Sequence, residues 1–178
     1  RFNITTLITM IETLRIANYL APSSTFSWEV ASFDGSKIIA SNGMTATIKT
    51  ANDNLRSAEF VFILGSWGTE HYHNQKLTAW LRKRARAGER ICGVELGSYI
   101  VARAGLLDGK LATIHWSWLN GFKENFDRVE VEENLFTLDR KVMTCSGGLA
   151  GVDLMLRLIE EINGSSFSGE IADQMLHH

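Results

Sequence analysis

The chain has 178 residues, of which 45% are hydrophobic and 21% charged, and its formal net charge is -2. This length suits one domain with a well-buried core, residues 1–178, and is too short for two domains of ordinary size. The net charge is slightly negative and there is no dense run of Lys or Arg, so this chain lacks the basic surface that binds nucleic-acid phosphates. Any DNA must therefore be bound by another segment.

Targeting signals and metal motifs are not visible in the sequence. There is neither a signal peptide nor an apolar run long enough to span a bilayer. The two cysteines, Cys92 and Cys145, lie in strand-like runs without metal-ligand spacing, which suits a reducing compartment. The composition therefore predicts a cytoplasmic protein that has no membrane contact and needs no metal or cofactor.

Apolar spacing and turn residues divide the chain into alternating elements. Helical spacing predicts helices at residues 4–20, which Pro22 ends, and at 77–85, 99–107, near 120–126, from 149 to 159 and from about 168 onward. Short apolar or β-branched runs predict strands at residues 28–33, which closes at Asp34-Gly35, and at 60–64, 90–94, 112–114, 129–131, 135–138 and 142–145. Asn42-Gly43 predicts a turn between two further short strands.

The order of these elements predicts the fold class. Phe60 to Leu64 is a continuous apolar run halted by Gly65, which is typical of a strand buried on both faces of a parallel sheet. Alternating strands and helices predict an α/β fold, with a doubly wound, mostly parallel sheet covered by helices on both faces, of flavodoxin-like type. Ligands bind such sheets beyond the carboxyl ends of strands, where Trp67, Glu95 and His115 are placed.

The segment Gly93-Val94-Glu95-Leu96-Gly97 leads directly from a predicted strand towards a predicted helix. It has the glycine spacing of a nucleophile elbow, but Glu95 stands where Ser or Cys would act. The tight turn lifts residue 95 above the sheet, beside the first free N–H groups of the helix. A carboxylate at this position favours ligand binding over acyl transfer, and a satisfied structural carboxylate is the alternative.

Four motifs in a fixed order suggest a family. They are this elbow, Ala104-Gly105-Leu106-Leu107-Asp108-Gly109, Ala112-Thr113-Ile114-His115-Trp116 and Cys145-Ser146-Gly147-Gly148. Together they resemble the N-terminal domain of AraC-family transcription regulators of the GlxA type, in the class I glutamine-amidotransferase-like, PfpI-type superfamily. The resemblance covers nearly the whole chain, beginning with Phe2 to Arg15. It implies a dimeric sensor domain, a first β-strand before Arg1 and a helix-turn-helix DNA-binding domain after His178, both absent from this sequence.

The chain departs from the catalytic members of that superfamily at two positions. The elbow cysteine of those relatives corresponds to Glu95, and an acidic partner on their first helix corresponds to about Thr6. Only His115 keeps a catalytic-type identity, so the resemblance implies a pocket that has lost hydrolase chemistry. Cys92 lies three residues before the elbow centre, in mid-strand, and is predicted to be an inert buried thiol.

The positions of the strand ends and the family resemblance together predict which residues form a ligand site. The predicted ligand-binding residues are Gly65, Trp67, Glu95, Leu96, Ser98, His115, Trp116, Gly147 and Gly148. A carboxylate near indole rings suits a small cation. The N–H groups at Ser146-Gly147-Gly148 are candidates to hold an anionic group of a zwitterion, with helix capping as an equal alternative.

Several neighbouring residues keep an open or a structural assignment. A structural role for His115 is as well supported as a ligand contact. Trp118 is a further candidate wall of the pocket, while Trp28 and Trp80 are assigned to packing.

These observations favour a non-catalytic, ligand-sensing and dimerising domain of an AraC-family regulator. Betaines, carnitine and basic amino acids are the expected effectors. An amidase, deglycase or peptidase-like hydrolase of the same superfamily is the second hypothesis, and it requires a reactive thiolate beside a base. An interaction module with an empty pocket is the third.

Overall fold

The computed structural model describes residues 1–33, 35–48, 50–51, 55–139 and 141–177. Its helices are α1 (Ile4–Leu20), α2 (Gln75–Arg86), α3 (Gly97–Arg103), α4 (Leu119–Asn125), α5 (Ala150–Asn163) and α6 (Ser165–Met175). Its strands are β1 (Ala31–Ser32), β2 (Lys37–Ile39), β3 (Thr45–Thr47), β4 (Thr50–Ala51), β5 (Phe60–Gly65), β6 (Arg90–Glu95), β7 (Leu111–Ala112), β8 (Glu130–Val131), β9 (Phe136–Leu138) and β10 (Val142–Cys145). Short 3-10 turns cover Thr69–His71 and Trp116–Trp118.

The largest sheet of the described residues has the strand order β5-β6-β10-β9. The β5–β6 and β6–β10 pairs are parallel, and β9 is antiparallel to β10. The remaining pairs are β1–β4 and β7–β8, both parallel, and the hairpin β2–β3, whose turn is the predicted Asn42-Gly43. The prediction of a mostly parallel α/β sheet is therefore confirmed.

Helices cover both faces of this sheet. On one face, Leu81 of α2, Tyr99 of α3 and Phe122 of α4 are fully buried in one apolar core with Ile91 of β6. On the other face, α1 and α5 pack against the opposite side of β6 and β10. Helix α6 then packs on α1 and α5 through a third apolar cluster. This arrangement confirms the doubly wound prediction and leaves the carboxyl ends of the strands open.

Three of the predicted elements are shorter than expected. The strand predicted at residues 28–33 is reduced to β1, and Trp28, assigned to packing, is 40% exposed. The strand predicted at 112–114 ends at Ala112, because Thr113 donates its N–H to a side chain, Thr144 Oγ1, at 2.7 Å instead of to a neighbouring strand. The helix predicted at 99–107 ends at Arg103.

Three further predictions concern the last helix, Trp80 and the turn at Asp34-Gly35. The final helix begins at Ser165, before the predicted position. Trp80 packs edge-on against Phe33, as assigned. Residue 34 of the predicted Asp34-Gly35 turn lies outside the described residues.

The prediction that β5 is buried on both faces is wrong for this chain. Most of its side chains are only partly buried, because within the described ranges β5 pairs with β6 alone and its other edge has no strand partner. That edge borders a groove of about 1200 Å³, lined by apolar side chains of α1, β5 and α5 and of the segment around β1. At the end of the groove, Ser66 N–H donates to the Arg1 carbonyl at 3.2 Å.

Of the helices in the described ranges, none is both long enough and apolar enough to cross a membrane.

Close packing of the elbow on β5 gives the first prediction. A Cβ added at Gly97 would lie 1.8 Å from the Ile63 carbonyl oxygen, whereas one added at Gly169 in α6 meets nothing within 4 Å. We expect Gly97→Ala to lower the free energy of unfolding by at least about 3 kcal/mol, since backbone must shift to admit the methyl group. Gly169→Ala, the matched control, should be neutral or stabilise by up to about 1 kcal/mol. Urea unfolding measures both, and equal stability of the two variants would contradict the packing.

Candidate functional site

The turn between β6 and α3 has the geometry of a nucleophile elbow. Glu95 adopts φ 54, in the left-handed region that residues with a Cβ rarely enter. The turn is held by the Leu96 N–H, which donates to the Gly65 carbonyl at 3.2 Å. A Cβ at Gly93 would lie 2.7 Å from Ser98 Cα, so only glycine lets the helix pack this closely on the strand. The glycines of the motif therefore place Glu95 at the carboxyl end of the sheet.

A cavity of about 810 Å³ lies at these strand ends. Six of the predicted ligand-binding residues line it: Trp67, Glu95, His115, Trp116, Gly147 and Gly148. Ser146, named above only for its backbone N–H, also lines the cavity, and residues without a predicted ligand role complete the lining: Asn3, Ser41, Asn42, Ser66, Ile114, Glu133, Asn134, Leu135 and Ala150. Asn3 could have been found, because an Asn directly before an apolar-periodic helix is a capping signal.

The other three predicted residues do not line the cavity. Leu96 and Ser98 are 0% exposed, because the helix turns them into the core directly after the elbow. Ser98 Oγ donates to the Thr113 carbonyl at 3.2 Å. Gly65 has no side chain to offer, and a Cβ there would lie 2.8 Å from Gly97 N. These residues build the elbow, and of the elbow residues only Glu95 lines the cavity.

Glu95 lies on the floor of the cavity and is 5% exposed. Burial raises the pKa of its carboxyl above the usual value of 4.5, while hydrogen bonds from Ser66 and Asn3 and the charge of His115 act in the opposite direction. Its Oε2 atom has no hydrogen-bond partner within the part of the chain that the structure describes. A buried carboxylate oxygen without a partner is costly, so a ligand would be stabilising if it supplied an N–H donor or if its quaternary ammonium offset the charge without a hydrogen bond.

The loop before α5 closes the cavity beside Glu95. Gly147 adopts φ 89, and a Cβ there would lie 2.7 Å from Glu95 Cβ. The Gly148 N–H donates to Thr6 Oγ1 of α1 at 2.8 Å, and the Gly147 backbone is close enough to Cys145 to act on the pKa of its thiol in the lowering direction. Because the Gly148 N–H is already engaged, this contact favours the alternative of helix capping with close packing, and the anion site at this helix start stays a prediction.

Two indole rings stand at the mouth of the cavity. Trp67 is 65% exposed and Trp116 is 70% exposed, and the Trp116 ring lies 5.7 Å from the His115 ring, centroid to centroid. The predicted wall residue Trp118 instead packs edge-on against Tyr99 in the core, 6.4 Å between centroids. Ligand contact at the mouth is therefore open to Trp67 and Trp116.

The loop that carries Trp67 is anchored to α3 by Arg103. The Arg103 guanidinium donates to the carbonyls of Thr69 and Tyr72, each at 3.0 Å, and to that of Glu70. The same group lies over the Tyr99 ring, 5.4 Å from its centroid. Helix α3 therefore sets Glu95 at its beginning and the Trp67 loop at its end.

The cavity offers charges of one sign. Its lining includes the carboxylates of Glu95 and Glu133 and no Lys or Arg among the described residues. In the described ranges, no group of three or more His, Cys, Asp or Glu side chains could hold a metal ion.

Neither thiol has the surroundings of a nucleophile. Cys92 and Cys145 are fully buried on neighbouring strands and do not line the cavity. Burial raises the pKa of Cys92 well above its usual value and that of Cys145 to about 11. The acid position on the first helix holds Thr6, whose hydroxyl is the acceptor for Gly148.

Comparison with known proteins agrees with this geometry. The DJ-1/PfpI family model matches residues 2–161, and the chain belongs to this family. It is 33% identical over 175 residues to the HTH-type transcriptional regulator CdhR of Pseudomonas aeruginosa PAO1, covering 98% of this chain and 52% of that protein. It is 35% identical over 176 residues to the HTH-type transcriptional regulator GbdR of Pseudomonas aeruginosa UCBPP-PA14, covering 99% of this chain and 48% of that protein.

A solved structure shows the same fold. The crystal structure of an AraC family transcriptional regulator from Pseudomonas putida superposes with a TM-score of 0.88 at 21% identity, covering 98% of this chain and 94% of that chain. The resemblance to regulators of this kind that the motifs indicated is confirmed. The chain spans about half the length of the curated relatives it matches.

One enzyme is among the more distant relatives. The isonitrile hydratase of Pseudomonas putida is 28% identical over 134 residues, covering 71% of this chain and 55% of that protein. The relatives that cover nearly all of this chain are named as regulators.

Burial of both thiols predicts that they are unreactive. At pH 8 we expect neither Cys92 nor Cys145 to react with Ellman's reagent in the folded protein, since the reactive thiolate is disfavoured at both positions. Both should react once the chain is unfolded in guanidinium, which serves as the control. Stoichiometric labelling of Cys92 in the folded protein would contradict the burial and revive a catalytic role.

The raised pKa of Glu95 predicts a pH-dependent stability. Below pH 4.5 the carboxyl is protonated in both the folded and the unfolded chain, so no stability is lost there. As the pH rises through the raised pKa, the unfolded chain ionises more readily and the folded state loses stability. Thermal melts of wild type and Glu95→Gln should therefore agree at pH 4.5 and diverge by pH 8, with the variant more stable. Parallel pH profiles would contradict the raised pKa.

Proposed function

We propose that this chain is the ligand-sensing and dimerising domain of an AraC-family transcription regulator, with no catalysis of its own. The observation that carries the proposal is Glu95: a buried carboxylate with an unpartnered oxygen on the floor of a cavity, at the elbow position where a nucleophile would stand. The regulator names of CdhR and GbdR support the same assignment.

The proposed ligand is a small cationic or zwitterionic metabolite, of the betaine, carnitine or basic amino-acid type. Two carboxylates, with no Lys or Arg among the described lining residues, give the cavity a negative potential that attracts a positive group. The exposed indoles of Trp67 and Trp116 offer faces to an ammonium group at the mouth. The volume of about 810 Å³ suits a small molecule.

The proposed signal is a change in domain arrangement. DNA is bound by a C-terminal helix-turn-helix domain that is not in this sequence, and the regulator acts as a homodimer in the cytoplasm. A ligand can shift such an equilibrium only if it binds the two arrangements with different affinity. The Thr6–Gly148 hydrogen bond supports a route for this, because it ties the cavity wall to α1 and to the start of α5.

A strand before Arg1 is part of the same proposal. The free edge of β5 and the apolar groove beside it match a parallel strand of about six residues. The Ser66–Arg1 hydrogen bond supports the direction, since a segment that ends at Arg1 beside Ser66 runs parallel to β5.

The hydrolase alternative is favoured by one observation, the similarity to isonitrile hydratase. It is opposed by the elbow itself, where Glu95 offers no thiolate and both cysteines lie outside the cavity. A turnover assay distinguishes the two functions, because a sensor binds its ligand without converting it into a product.

A thermal-shift screen tests the ligand class. We expect glycine betaine, carnitine or arginine, at about a hundred times its Kd, to add about 2.7 kcal/mol of stability, or roughly 5–10 °C in Tm. Glu95→Gln should lose most of this shift because it removes the carboxylate charge. Glu170→Gln, at an exposed position of α6, is the control and should keep the shift. Shifts of equal size in Glu95→Gln, or none with any compound, would refute the assignment.

The groove proposal has its own test. Fusing about six Val and Leu residues directly before Arg1 should raise Tm and reduce binding of the dye ANS, because the extension covers the apolar groove. An extension of Gly and Ser of the same length should do neither. If both extensions behave alike, the groove does not accept a strand.

A further inference from the structure

A zwitterionic ligand requires a partner for its anionic group, and this inference rests on the proposed function. The cavity has no described Lys or Arg in its lining, and the N–H group of Gly148 already donates to Thr6. The Ser146 hydroxyl donates to the Leu135 carbonyl at 3.0 Å. The Ser146 and Gly148 donors at this helix start are therefore already engaged, so a carboxylate needs a donor from elsewhere in the cavity.

The hydrogen bonds of His115 determine which of its ring nitrogens carries the proton. Nδ1 accepts from the Ser117 N–H at 3.4 Å, an interaction in which His115 caps the 3-10 turn Trp116–Trp118. Nδ1 also lies 2.8 Å from the Ser117 hydroxyl. Because a nitrogen that accepts from a backbone N–H has no proton of its own, the neutral ring carries its proton on Nε2.

That Nε2–H is an unused donor in the cavity. His115 lines the cavity, is only partly buried and gives Nε2 no hydrogen bond to any described residue. When the ring is protonated it lowers the pKa of Glu95, which shows that both groups are near each other in one site. The cavity therefore holds a carboxylate oxygen, Glu95 Oε2, without a hydrogen-bond partner, and an imidazole Nε2–H on His115 without an acceptor among the described residues.

We propose that His115 donates its Nε2–H to the carboxylate of a zwitterionic ligand whose positive group is held by Glu95. Glu95 and His115 together contact both ends of an ammonium or quaternary-ammonium acid. Ser117 acts as a positioning residue, because its backbone N–H fixes the His115 tautomer. The cap on the 3-10 turn holds the imidazole in place before a ligand arrives.

A matched pair of ligands isolates this contact. Glycine betaine and choline share a trimethylammonium group, and they differ in a carboxylate against a hydroxymethyl group. Titration calorimetry at pH 8 should show that the wild-type protein prefers betaine by about tenfold or more, the size expected for a hydrogen bond to a charged group. Equal affinities, or a preference for choline, would overturn the assignment of His115.

Variants at His115 then identify the donor. In His115→Phe the betaine preference should shrink to about twofold or less, because the ring remains and the donor is lost. His115→Gln, whose amide nitrogen can replace Nε2, should retain part of the preference. Ser117→Ala should reduce the betaine preference only slightly, because Nδ1 loses its hydroxyl partner but keeps the backbone N–H that fixes the tautomer. A preference that survives intact in His115→Phe would overturn the proposal.

Stability and ligand class are separated in the same experiment. A melting curve for each variant checks folding, and the choline affinity reports on the Glu95 end of the cavity. If neither compound binds the wild-type protein, the proposed ligand class fails and the role of His115 fails with it. If both bind and only the preference is missing, the ligand class stands and the His115 assignment alone is wrong.

Discussion

The rest of the site depends on the left-handed turn at Glu95. A side chain at φ 54 is tolerated because Gly93 and Gly97 let α3 lie directly on β5 and β6. This packing leaves no space for a methyl group on either glycine, so the turn cannot relax without moving a helix. The direction of Glu95 is consequently set by backbone contacts and does not depend on its own hydrogen bonds. An elbow of this kind can exchange its central side chain while its geometry stays the same.

Glu95 and Thr6, the two positions at which the resemblance implies a departure from catalytic relatives, both contact the Gly147-Gly148 loop. The acid stands on the elbow, and the first helix provides a hydroxyl, Thr6, which is buried and bonds to the Gly148 N–H. Two carboxylates facing each other in this space would repel unless one kept its proton. With Thr6 in place, only one buried charge has to be accommodated, and α1 and α5 are joined by a neutral hydrogen bond.

Much of the fold could be predicted because strong local signals agreed with the final packing. The apolar run in β5, the glycine-spaced elbow and the helical stripe of α1 each specify their element without reference to the rest of the chain. The short strands could not be predicted, because β1 and β7 are defined by pairing and side-chain contacts that only the assembled fold creates. The exposed edge of β5 was missed for the same reason, since an apolar run does not say which neighbour is present.

The cavity residues that could be predicted are those whose position follows from the ends of the strands. Glu95, Trp67 and His115 follow strand ends, and the structure brings them to one cavity. Leu96 and Ser98 were misplaced, because helix rotation after the elbow turns them inward. Nothing in the sequence indicated that the helix start at Gly147 and Gly148 was occupied, but the Gly148 N–H donates to Thr6, which is distant in the chain. Contacts between distant segments leave no local signal.

The anchoring of the Trp67 loop by Arg103 bears on how selective the mouth of the cavity can be. Three carbonyl groups share one guanidinium, which itself rests on Tyr99, so the indole is displayed on a stiff support. A loop that is held in place loses little conformational entropy when a ligand binds, but it also cannot move to accommodate a larger ligand. Under the proposed function, this support limits the size of the ligand that the indole can contact, and relatives that bind larger molecules are expected to differ at Arg103 as well as at Trp67.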